Sequence, residues 1–482
     1  MFDLRPVGYV IGLLVAALGV TMLIPLFLDM ADGGDHWHAF FEASLMSVLT
    51  GGLVALACAN GVKKGLTIQQ TFLLTTGVWA ALPLFAALPF MLGATEARFV
   101  DAFFEAMSGM TTTGSTVYSG LDDLPRGLLL WRSMMQWFGG IGIIVVAMVF
   151  LPELRIGGMQ IFKSESFDTM GKILPRAVEI ASRISAIYVV LTGVCFLAYL
   201  AVGLPMFDAL NHALTTSSTG GFSTHDASFG AYQGAPEYVA SIFMVLASLP
   251  FVRYVQLISG NNKALFQDSQ IRVFFSLIAA LVVIISIYRV VVNEDFYEHA
   301  FREAVFNVTS ILTGTGFASV DYQLWGAFPV VLFFFMGLVG GCAGSTCCSV
   351  KIFRYQLLFA AIGAQIRQIH APRGIFVPRY DGRRVSNDVM SSVMAFFVLF
   401  VVSLGVFAIL LGLTGLDFTT SVSGAATALA NVGPGLGNEI GPSGNFGHLN
   451  DAAKWILTAA MLIGRLELLA VYAILTVQFW RS

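Results

Sequence analysis

The sequence has few charged residues. Only 11% of its 482 residues are Asp, Glu, Lys or Arg, whereas 57% are hydrophobic. One soluble core cannot bury this much apolar surface, and a soluble domain carries charge on about a quarter of its residues. The composition therefore excludes a soluble enzyme and predicts no nucleic-acid partner. It indicates an all-α polytopic membrane protein in contact with the lipid bilayer.

Cysteine and cofactor motifs are also scarce. The five cysteines are Cys58, Cys195, Cys342, Cys347 and Cys348. All of them lie in or beside apolar runs, which argues against a disulfide framework. The last three are close together, but no His or carboxylate lies beside them, so a metal site is not expected. The chain has no P-loop and no dinucleotide fingerprint, so we expect no cofactor or nucleotide on it.

Long apolar runs predict about ten membrane spans, each of roughly 20 residues. They lie near residues 8–29, 39–60, 71–93, 128–150, 184–203, 236–259, 272–292, 327–350, 389–414 and 453–477. We interpret the first run as a retained helix and not as a signal peptide, because no small-residue cleavage site follows it.

Charge predicts the orientation. If the spans alternate, one side carries Arg5, Lys63, Lys64, Arg155, Lys163, Lys172, Arg176, Arg183, Arg253, Lys263, Arg272, Arg354, Arg367, Arg373, Arg379, Arg383, Arg384 and Arg481. The other side carries Asp29, Asp32, Asp35, Glu96, Asp101, Asp122, Asp123, Asp226, Glu294, Asp295, Glu298, Asp321 and Asp451. The excess of Lys and Arg predicts that the first side, with both termini, is cytoplasmic. An acidic outer vestibule concentrates cations, although any exported acidic loop has a similar composition.

A fourfold internal repeat lies between the spans. The four segments are "FEAMSGMTTTGST", "NHALTTSSTGGFST", "FNVTSILTGTGFAS" and "SGAATALANVGPGLG". They pass through Gly114, Gly221, Gly316 and Gly433 at intervals of roughly a hundred residues. A single glycine of this kind is usually a loop or a helix cap. Four at equivalent positions, each after a short amphipathic segment, indicate a shared structure.

The short segments are too short to span a bilayer and are predicted to be re-entrant. Re-entrant backbone is tolerated only where protein buries it or water contacts it, so four such segments predict a common pore. Backbone carbonyls replace the hydration shell of a cation, and glycine permits the backbone angles that this requires. Hydroxyl and amide groups nearby are Thr112, Thr113, Ser218, Thr219, Thr313, Thr315 and Asn431. The predicted ion-binding residues are Thr112, Thr113, Gly114, Thr219, Gly220, Gly221, Gly314, Thr315, Gly316, Asn431, Val432 and Gly433.

The sequence resembles the TrkH group of the superfamily of potassium transporters that includes the KtrB and HKT proteins. The resemblance covers essentially the whole chain. Its motifs are "FFEAMSGMTTTGSTVYSGLDDLP", "HALTTSSTGGFSTHD", "TGTGFASVDYQLW", "GGCAGST", "NVGPGLG", "LNDAAKW" and "GRLE". It implies four units of helix, pore helix, filter and helix around one pore, preceded by two extra transmembrane helices. The units are predicted at 1–68 (extra helices), 69–160, 161–262, 263–385 and 386–482.

The resemblance also implies K⁺ as the transported ion, bound at the filter carbonyls, in the bacterial inner membrane. It implies a homodimer and a cytosolic TrkA-type ring that carries the regulatory nucleotide. The basic stretch 354–384 is either a solvated loop or a docking surface for such a partner.

A gate is implied below the filter. Small residues in "GGCAGST" weaken a helix, and they indicate either close helix packing or an intramembrane loop, which the resemblance favours. The family usually has further glycines after "GST", whereas this chain has Cys347, Cys348 and Ser349, so we expect a stiffer loop. The predicted gate residues are Gly340, Gly341, Gly344, Ser345, Thr346, Cys347, Cys348, Ser349, Lys351 and Arg465.

Arg465 is a cation within an apolar run, where a charge normally faces a partner or water. It is either half of a structural ion pair with another helix or, as the resemblance favours, a positive barrier in the pore. Glu467 is two residues away, on a different helical face, and is a poor partner.

The sequence thus predicts channel-like K⁺ uptake and no enzyme activity. Symport coupled to H⁺ or Na⁺ stays an alternative. A membrane-embedded enzyme is a remote one, because His212, His225 and His370 lie in separate segments without a nucleophile motif.

Overall fold

A computed structural model describes residues 3–61, 66–150, 157–159, 177–261 and 263–481. Six predicted cytoplasmic cations lie outside the described residues: Lys63, Lys64, Arg155, Lys163, Lys172 and Arg176. The described residues are mainly helical. Their strands are β1 (Arg379–Tyr380) and β2 (Arg383–Arg384), which pair antiparallel with Arg379 opposite Arg384.

A helical hairpin precedes the repeats. It consists of α1 (Arg5–Thr21), α2 (Leu23–Ala31) and α3 (Trp37–Cys58). Asp29, predicted to lie at an exposed outer loop, is instead buried at the end of α2. Its carboxylate accepts a bond of 2.7 Å from the backbone N–H of Gly127 and one of 2.7 Å from His36. Because a buried carboxylate needs such partners, this contact fixes the hairpin to the first repeat.

Four repeats of similar order follow the hairpin. The first contains α4 (Ile68–Ala86), α5 (Leu88–Leu92), α6 (Phe99–Met110) and α7 (Arg126–Val145). The second contains α8 (Ala177–Ala201), α9 (Met206–Ser217), α10 (Ala235–Ala247) and α11 (Phe251–Ile258). The third contains α12 (Ala264–Gln267), α13 (Ser269–Val292), α14 (Tyr297–Thr313), α15 (Ala327–Gly337) and α16 (Ile352–His370). The fourth contains α17 (Asn387–Leu413), α18 (Phe418–Ala430), α19 (Asp451–Arg465), α20 (Leu469–Ile474) and α21 (Val477–Arg481).

The re-entrant helices are α6, α9, α14 and α18, and we call the side of the membrane on which they begin the mouth side. Local sequence determines where several helices start. The side chains of Thr67, Asp268, Ser386, Asp417 and Asn450 cap α4, α13, α17, α18 and α19 by accepting backbone N–H groups. Such caps satisfy donors that a helix N-terminus leaves free.

The second long helix of every repeat is interrupted. In the first repeat, α7 continues as a π-helix over Val146–Phe150. In the second, α10 and α11 meet at an angle of 86°. In the third and fourth, residues 338–351 and 466–468 separate the two halves. Seven described helices are therefore long and apolar enough to cross a membrane, or eight with the bent pair. The predicted spans 327–350 and 453–477 are discontinuous. Backbone groups at the break of the third repeat find partners in other repeats, whereas the N–H groups of residues 466–468 bond to carbonyls three to five residues earlier.

The basic stretch 354–384 is not a simple loop. Its first half is the helix α16, and only its second half contains the small hairpin. Arg354, predicted on the cytoplasmic side, is completely buried. The remaining arginines of this stretch are largely exposed, so the positive surface begins beyond Arg354.

Candidate ion pathway and intramembrane loop

The four re-entrant helices end in the same backbone turn. In each, an N–H group beyond the helix bonds to a carbonyl five residues earlier, a closure that satisfies carbonyls at a helix end. The bonds, of 2.8 to 3.0 Å, join Thr113 to Ser108, Gly220 to Thr215, Thr315 to Ser310 and Val432 to Thr427. The four predicted segments therefore share one geometry.

Two residues with left-handed backbone follow each re-entrant helix, separated by one other residue. The first of them is Thr112, Thr219, Gly314 or Asn431. The second is Gly114, Gly221, Gly316 or Gly433, with φ from 79° to 107°. A left-handed conformation costs a residue with a Cβ about 1–2 kcal/mol, so the threonines hold strain here. The structure thus brings the twelve residues predicted to bind ions into equivalent positions.

The second left-handed glycine of each repeat packs against the backbone of the next repeat. A Cβ on Gly114 would overlap the carbonyl oxygen of Gly220. Likewise, Gly221 faces the Thr315 oxygen, Gly316 the Val432 oxygen and Gly433 the Thr113 oxygen. In every case the added Cβ would lie within 3.0 Å of that oxygen. The four glycines, which we call the glycine ring, therefore close around one axis in chain order.

Side chains behind the ring hold the segments in place. Asn431 Nδ2 donates to Thr113 Oγ1 at 2.9 Å and to the Met461 carbonyl at 3.0 Å. The hydroxyls of Thr313 and Thr315 are bonded to each other at 2.7 Å. These groups, predicted near the ion, make protein contacts, so they act here as braces for the backbone.

The first and fourth repeats meet at a seam that no covalent connection spans. Ser115 Oγ donates to the carbonyl of Gly433 at 2.8 Å. On the mouth side, Lys454 pairs with Asp101 at 2.6 Å and Arg98 pairs with Asp451 at 2.8 Å. Charge pairs and hydrogen bonds thus close the ring where the chain itself does not.

A cavity of about 260 Å³ lies on the mouth side of the glycine ring. Its wall includes the four ring glycines together with Ser115, Arg132, His225, Asp226 and Asn445. Asp226 accepts bonds from the N–H groups of Gly120 at 2.7 Å and Leu121 at 3.1 Å. Asp122 is hydrogen bonded to His225, and this bond lowers the pKa of the Asp122 carboxyl. The cavity is polar enough to hold a hydrated ion.

Basic residues accompany the acidic ones on the mouth side, so this side is less negative than the sequence predicts. Seven of the eight Lys and Arg residues that were not assigned to the cytoplasm are ion paired. Lys351 is paired below the ring, and the other six lie on the mouth side: Arg98, Arg126, Arg132, Arg289, Arg302 and Lys454. The most buried of the mouth-side pairs joins Arg132 to Glu105 at 2.8 Å. Glu105 also accepts from the Val117 N–H at 2.9 Å, which fixes the backbone just beyond Gly114.

The loop 338–351 lies directly against the other end of the ring segments. Thr346 Oγ1 is 3.2 Å from Thr219 Oγ1, and Cys348 Sγ is 3.8 Å from Thr112 Oγ1. Ser349 donates to the carbonyl of Ala430 at 3.1 Å. The loop therefore contacts the first, second and fourth repeats where their re-entrant helices end, and it is buried, as an intramembrane loop should be.

The same loop fills the break in the second repeat. The Cys342 N–H donates to the Ser248 carbonyl at 3.2 Å, and the Phe251 N–H donates to the Gly344 carbonyl at 2.9 Å. Thr346 Oγ1 donates to the Ala247 carbonyl at 3.0 Å. The bent helix leaves backbone groups unpaired at membrane depth, and the loop satisfies them.

A buried charge cluster holds the end of the loop. Lys351 pairs with Glu467 at 2.6 Å, and Arg354 pairs with the same carboxylate. Glu467 and Leu468 have φ of 61° and 52° at the break of the fourth repeat, and Lys351 has φ of 75°. The poor pairing predicted between Glu467 and Arg465 is confirmed, because Glu467 bonds to the third repeat instead.

Arg465 is the eighth of these cations and has no carboxylate partner among the described residues. Its guanidinium donates to Cys348 Sγ and, at 3.0 Å, to the carbonyl of Gly139. It also lies 5.4 Å from the ring centre of Trp79, and its Nε has no partner. A structural ion pair is therefore not what holds this charge beneath the ring. No group of three or more His, Cys, Asp or Glu side chains able to hold a metal occurs in the described part of the chain.

Sequence reasoning missed three buried polar residues of this site: Glu105, Arg132 and Gln136. Arg132 and Gln136 lie inside an apolar run, so the reasoning applied to Arg465 could have identified them. Pro250 marks the bend at 248–250, because proline removes a helical hydrogen bond and kinks or ends a helix, and the prediction of a continuous span over 236–259 overlooked it.

Comparison with known proteins agrees with this architecture. A model of the TrkH family, described as a cation transport protein, matches residues 36–479. The chain is 42% identical over 479 residues to the Trk system potassium uptake protein TrkI of Halomonas elongata, covering 99% of this chain and 97% of TrkI. It is 34% identical to TrkH of Escherichia coli K12, with 99% of each chain covered. The crystal structure of the potassium transporter TrkH from Vibrio parahaemolyticus matches all of both chains with a TM-score of 0.92 and 32% identity. The chain belongs to the TrkH family of cation transport proteins.

Proposed function

We propose that this protein is the K⁺-permeating subunit of a bacterial Trk uptake system. The observation that carries the proposal is the closed ring of four glycines, each packed against a carbonyl of the next repeat. A ring of backbone carbonyls is a structure suited to a partly dehydrated monovalent cation. The relatives are named as potassium uptake proteins and not as enzymes, so the membrane-enzyme alternative is dropped.

In this proposal K⁺ binds at the carbonyls of the twelve ring-segment residues, from Thr112 to Gly433. The loop 338–351 and Arg465 obstruct the path below them. Support comes from the position of the loop, which contacts three of the four segments, and from the uncompensated charge of Arg465. Opening requires both to move together, because Arg465 donates to Cys348 of the loop.

The mouth side is the outer face of the bacterial inner membrane, and both termini are cytoplasmic. The exposed arginines beyond Arg354 support this orientation. A homodimer and a cytosolic TrkA-type ring, which would carry the regulatory nucleotide, complete the proposed assembly. The exposed basic end of α16 and its hairpin form a surface of suitable charge for such a ring.

Channel-like permeation is favoured over symport. The buried carboxylates nearest to the path, Glu105 and Glu467, are held by Arg132 and by Lys351 with Arg354. A proton relay needs carboxylates that can take up and release a proton, whereas Glu105 and Glu467 form ion pairs that stabilise their charged state.

Flux in proteoliposomes tests the proposal. The purified chain is reconstituted, and uptake of radiolabelled Rb⁺ is measured against a K⁺ gradient, with H⁺ and Na⁺ gradients imposed in either direction. We expect uptake that follows the K⁺ gradient alone. Uptake that reverses with the H⁺ or Na⁺ gradient would establish symport, and absence of any uptake with active relatives as controls would contradict the proposal.

A further inference from the structure

Gln136 contacts the ring segment of a neighbouring repeat. It lies on α7 of the first repeat and is completely buried. Its Nε2 donates to the carbonyl of Gly220 at 2.6 Å, and its Oε1 accepts from the N–H of Phe222 at 3.0 Å. One carboxamide therefore binds the backbone on both sides of the ring glycine Gly221, using its donor and its acceptor together.

Among the described residues, the second repeat alone receives such a contact at this position. The positions equivalent to Gly220 are Thr113, Thr315 and Val432, and their carbonyls accept no side-chain hydrogen bond within the described parts of the chain. The backbone conformation of the ring therefore repeats four times, but the side-chain hydrogen bonds to its carbonyls do not. A carbonyl shared with an amide donor interacts less strongly with a cation than an unshared one does.

The sequence of the second repeat is matched to this contact. Gly220 is a glycine where the other repeats have Thr or Val. A Cβ at Gly220 would overlap the carboxamide carbon and Oε1 of Gln136. In the first and third repeats, by contrast, the threonine at this position braces its own segment through a hydroxyl. The Gln136 side chain thus occupies the space, and takes over the role, of the missing side chain at position 220.

We propose that Gln136 is a specificity-determining residue, which sets the position and the field strength of one carbonyl of the ring. A weakened carbonyl disfavours small cations, whose dehydration needs strong ligands, more than large ones. Gln136 therefore raises the preference for K⁺ and Rb⁺ over Na⁺. This inference rests on the proposed function, because it assumes that ions pass the glycine ring.

Two single substitutions and one double substitution test the inference. Gln136→Leu and Gln136→Met each remove both hydrogen bonds at similar volume and introduce no charge. Loss of a neutral hydrogen bond corresponds to about threefold to tenfold in an equilibrium, and we expect the Na⁺ over K⁺ permeability ratio to rise by that factor in both variants. Gln136→Ala with Gly220→Thr recreates the bracing of the other repeats but leaves the carbonyl of residue 220 without an amide donor, so its Na⁺ over K⁺ permeability ratio should stay raised.

The control is Gln70→Leu. Gln70 is also a buried helical glutamine, but it bonds to Thr67 and to Asp3, far along the chain from the ring. Its permeability ratio should equal that of the wild type. All variants are measured by bi-ionic potentials in bilayers, and folding is checked by thermal stability in detergent.

The outcomes separate the two proposals. If the wild-type chain carries no K⁺, the proposed function fails. If the wild type is selective and the folded Leu and Met variants keep its permeability ratio, the proposed function stands and Gln136 is only a structural brace. If the Leu variant does not fold, the permeability ratios of the Met variant and the double variant test the inference.

Discussion

Arg465 is the residue whose surroundings differ most from those of the other buried cations. The others face carboxylates, whereas its charge is met by a thiol, a carbonyl and an indole ring. Its charge is thus left available to repel ions. At 4 Å and an effective dielectric constant near 20, two unit charges repel by about 4 kcal/mol.

We therefore expect Arg465→Ala to raise K⁺ flux at least about tenfold, since this needs only about 1.4 kcal/mol of that repulsion. Arg465→Lys keeps the charge and is the matched control, which should stay near the wild-type rate. Flux is measured in proteoliposomes at equal protein content. A folded Ala variant with unchanged flux would show that the charge does not lie in the path.

The ring glycines provide a second test at the scale of single residues. Replacing Gly114, Gly221, Gly316 or Gly433 with Ser should lower the preference for K⁺ over Na⁺, because the new Cβ displaces a carbonyl of the next repeat. The overlap is deepest at Gly221 and Gly316 and smallest at Gly433, so the loss of preference should follow that order.

Gly120→Ser is the control for this series. Gly120 also has a left-handed backbone, with φ of 71°, but a Cβ there would meet nothing within 4 Å. Gly120→Ser therefore has the conformational cost of a left-handed backbone but no steric clash with a neighbouring repeat. If Gly120→Ser altered the permeability ratio as much as the ring variants do, contact with the next repeat would not be the cause.

At the scale of elements, the intramembrane loop connects interruptions in three repeats. It fills the bend between α10 and α11, and Glu467 fixes its end to the break between α19 and α20. The sequence indicates the interruption in the third repeat through its glycines. It also indicates the break in the second repeat, through Pro250, but gives no sign of the one in the fourth, because Leu468 lies in a run that is apolar enough for a continuous helix. Hydrogen bonds from the loop satisfy backbone groups at the bend of the second repeat, and the ion pair between Lys351 and Glu467 holds the break of the fourth.

Two causes of the expected loop stiffness can be compared: the restricted backbone of residues other than glycine, and the contacts of the cysteine thiols. Neither Cys347 nor Cys348 has a positive φ, so glycine is not required at either position by conformation. Cys348 instead binds Arg465 and contacts Thr112 through its thiol. The Cys348 thiol is therefore the candidate group that holds the intramembrane loop in its obstructing position.

Cys348→Ala and Cys348→Gly separate these causes. If the thiol holds the loop, both variants should raise the flux of the chain without its partner by a similar factor, about threefold to tenfold for one lost hydrogen bond. If backbone stiffness dominates, only the Gly variant should do so. Unchanged flux in both folded variants would place the gate elsewhere. Cys195→Ala, a buried cysteine on α8 outside the loop, is the control.

At the scale of the whole molecule, the sequence predicted the four repeats and their common axis well. Glycine spacing and short amphipathic segments depend on local sequence and are visible in it. The contact of Gln136 with Gly220 and the seam between Asp101 and Lys454 were not predicted, because each joins residues that are distant in the chain. The acidic outer side was overestimated for a different reason, since the basic residues on it were not counted: Arg98, Arg126, Arg132, Arg289, Arg302 and Lys454.

Contacts between repeats also predict a dependence of stability on pH. Asp122 of the first repeat is hydrogen bonded to His225 of the second, and its pKa is lowered in the folded state. A lowered carboxyl pKa contributes stability above the unfolded value, near pH 4, and this contribution is lost as the pH falls. The melting temperature should therefore fall more steeply from pH 5 to pH 3 in the wild type than in Asp122→Asn. Asp35→Asn, at an exposed carboxylate, should resemble the wild type, and equal slopes in all three proteins would contradict the prediction.

The seam between the first and fourth repeats has a consequence for how the protein is made. Arg98 and Asp101 leave the ribosome well before their partners Asp451 and Lys454, which lie 353 residues further along the chain. Until then, three quarters of the ring lie in the bilayer with one side open, and the buried cations Lys351 and Arg354 lack their carboxylate partner Glu467. Contacts over such sequence separations form late and slowly. We therefore expect biogenesis to depend on protection of this open side, by the insertion machinery or by lipid, until the last repeat is inserted.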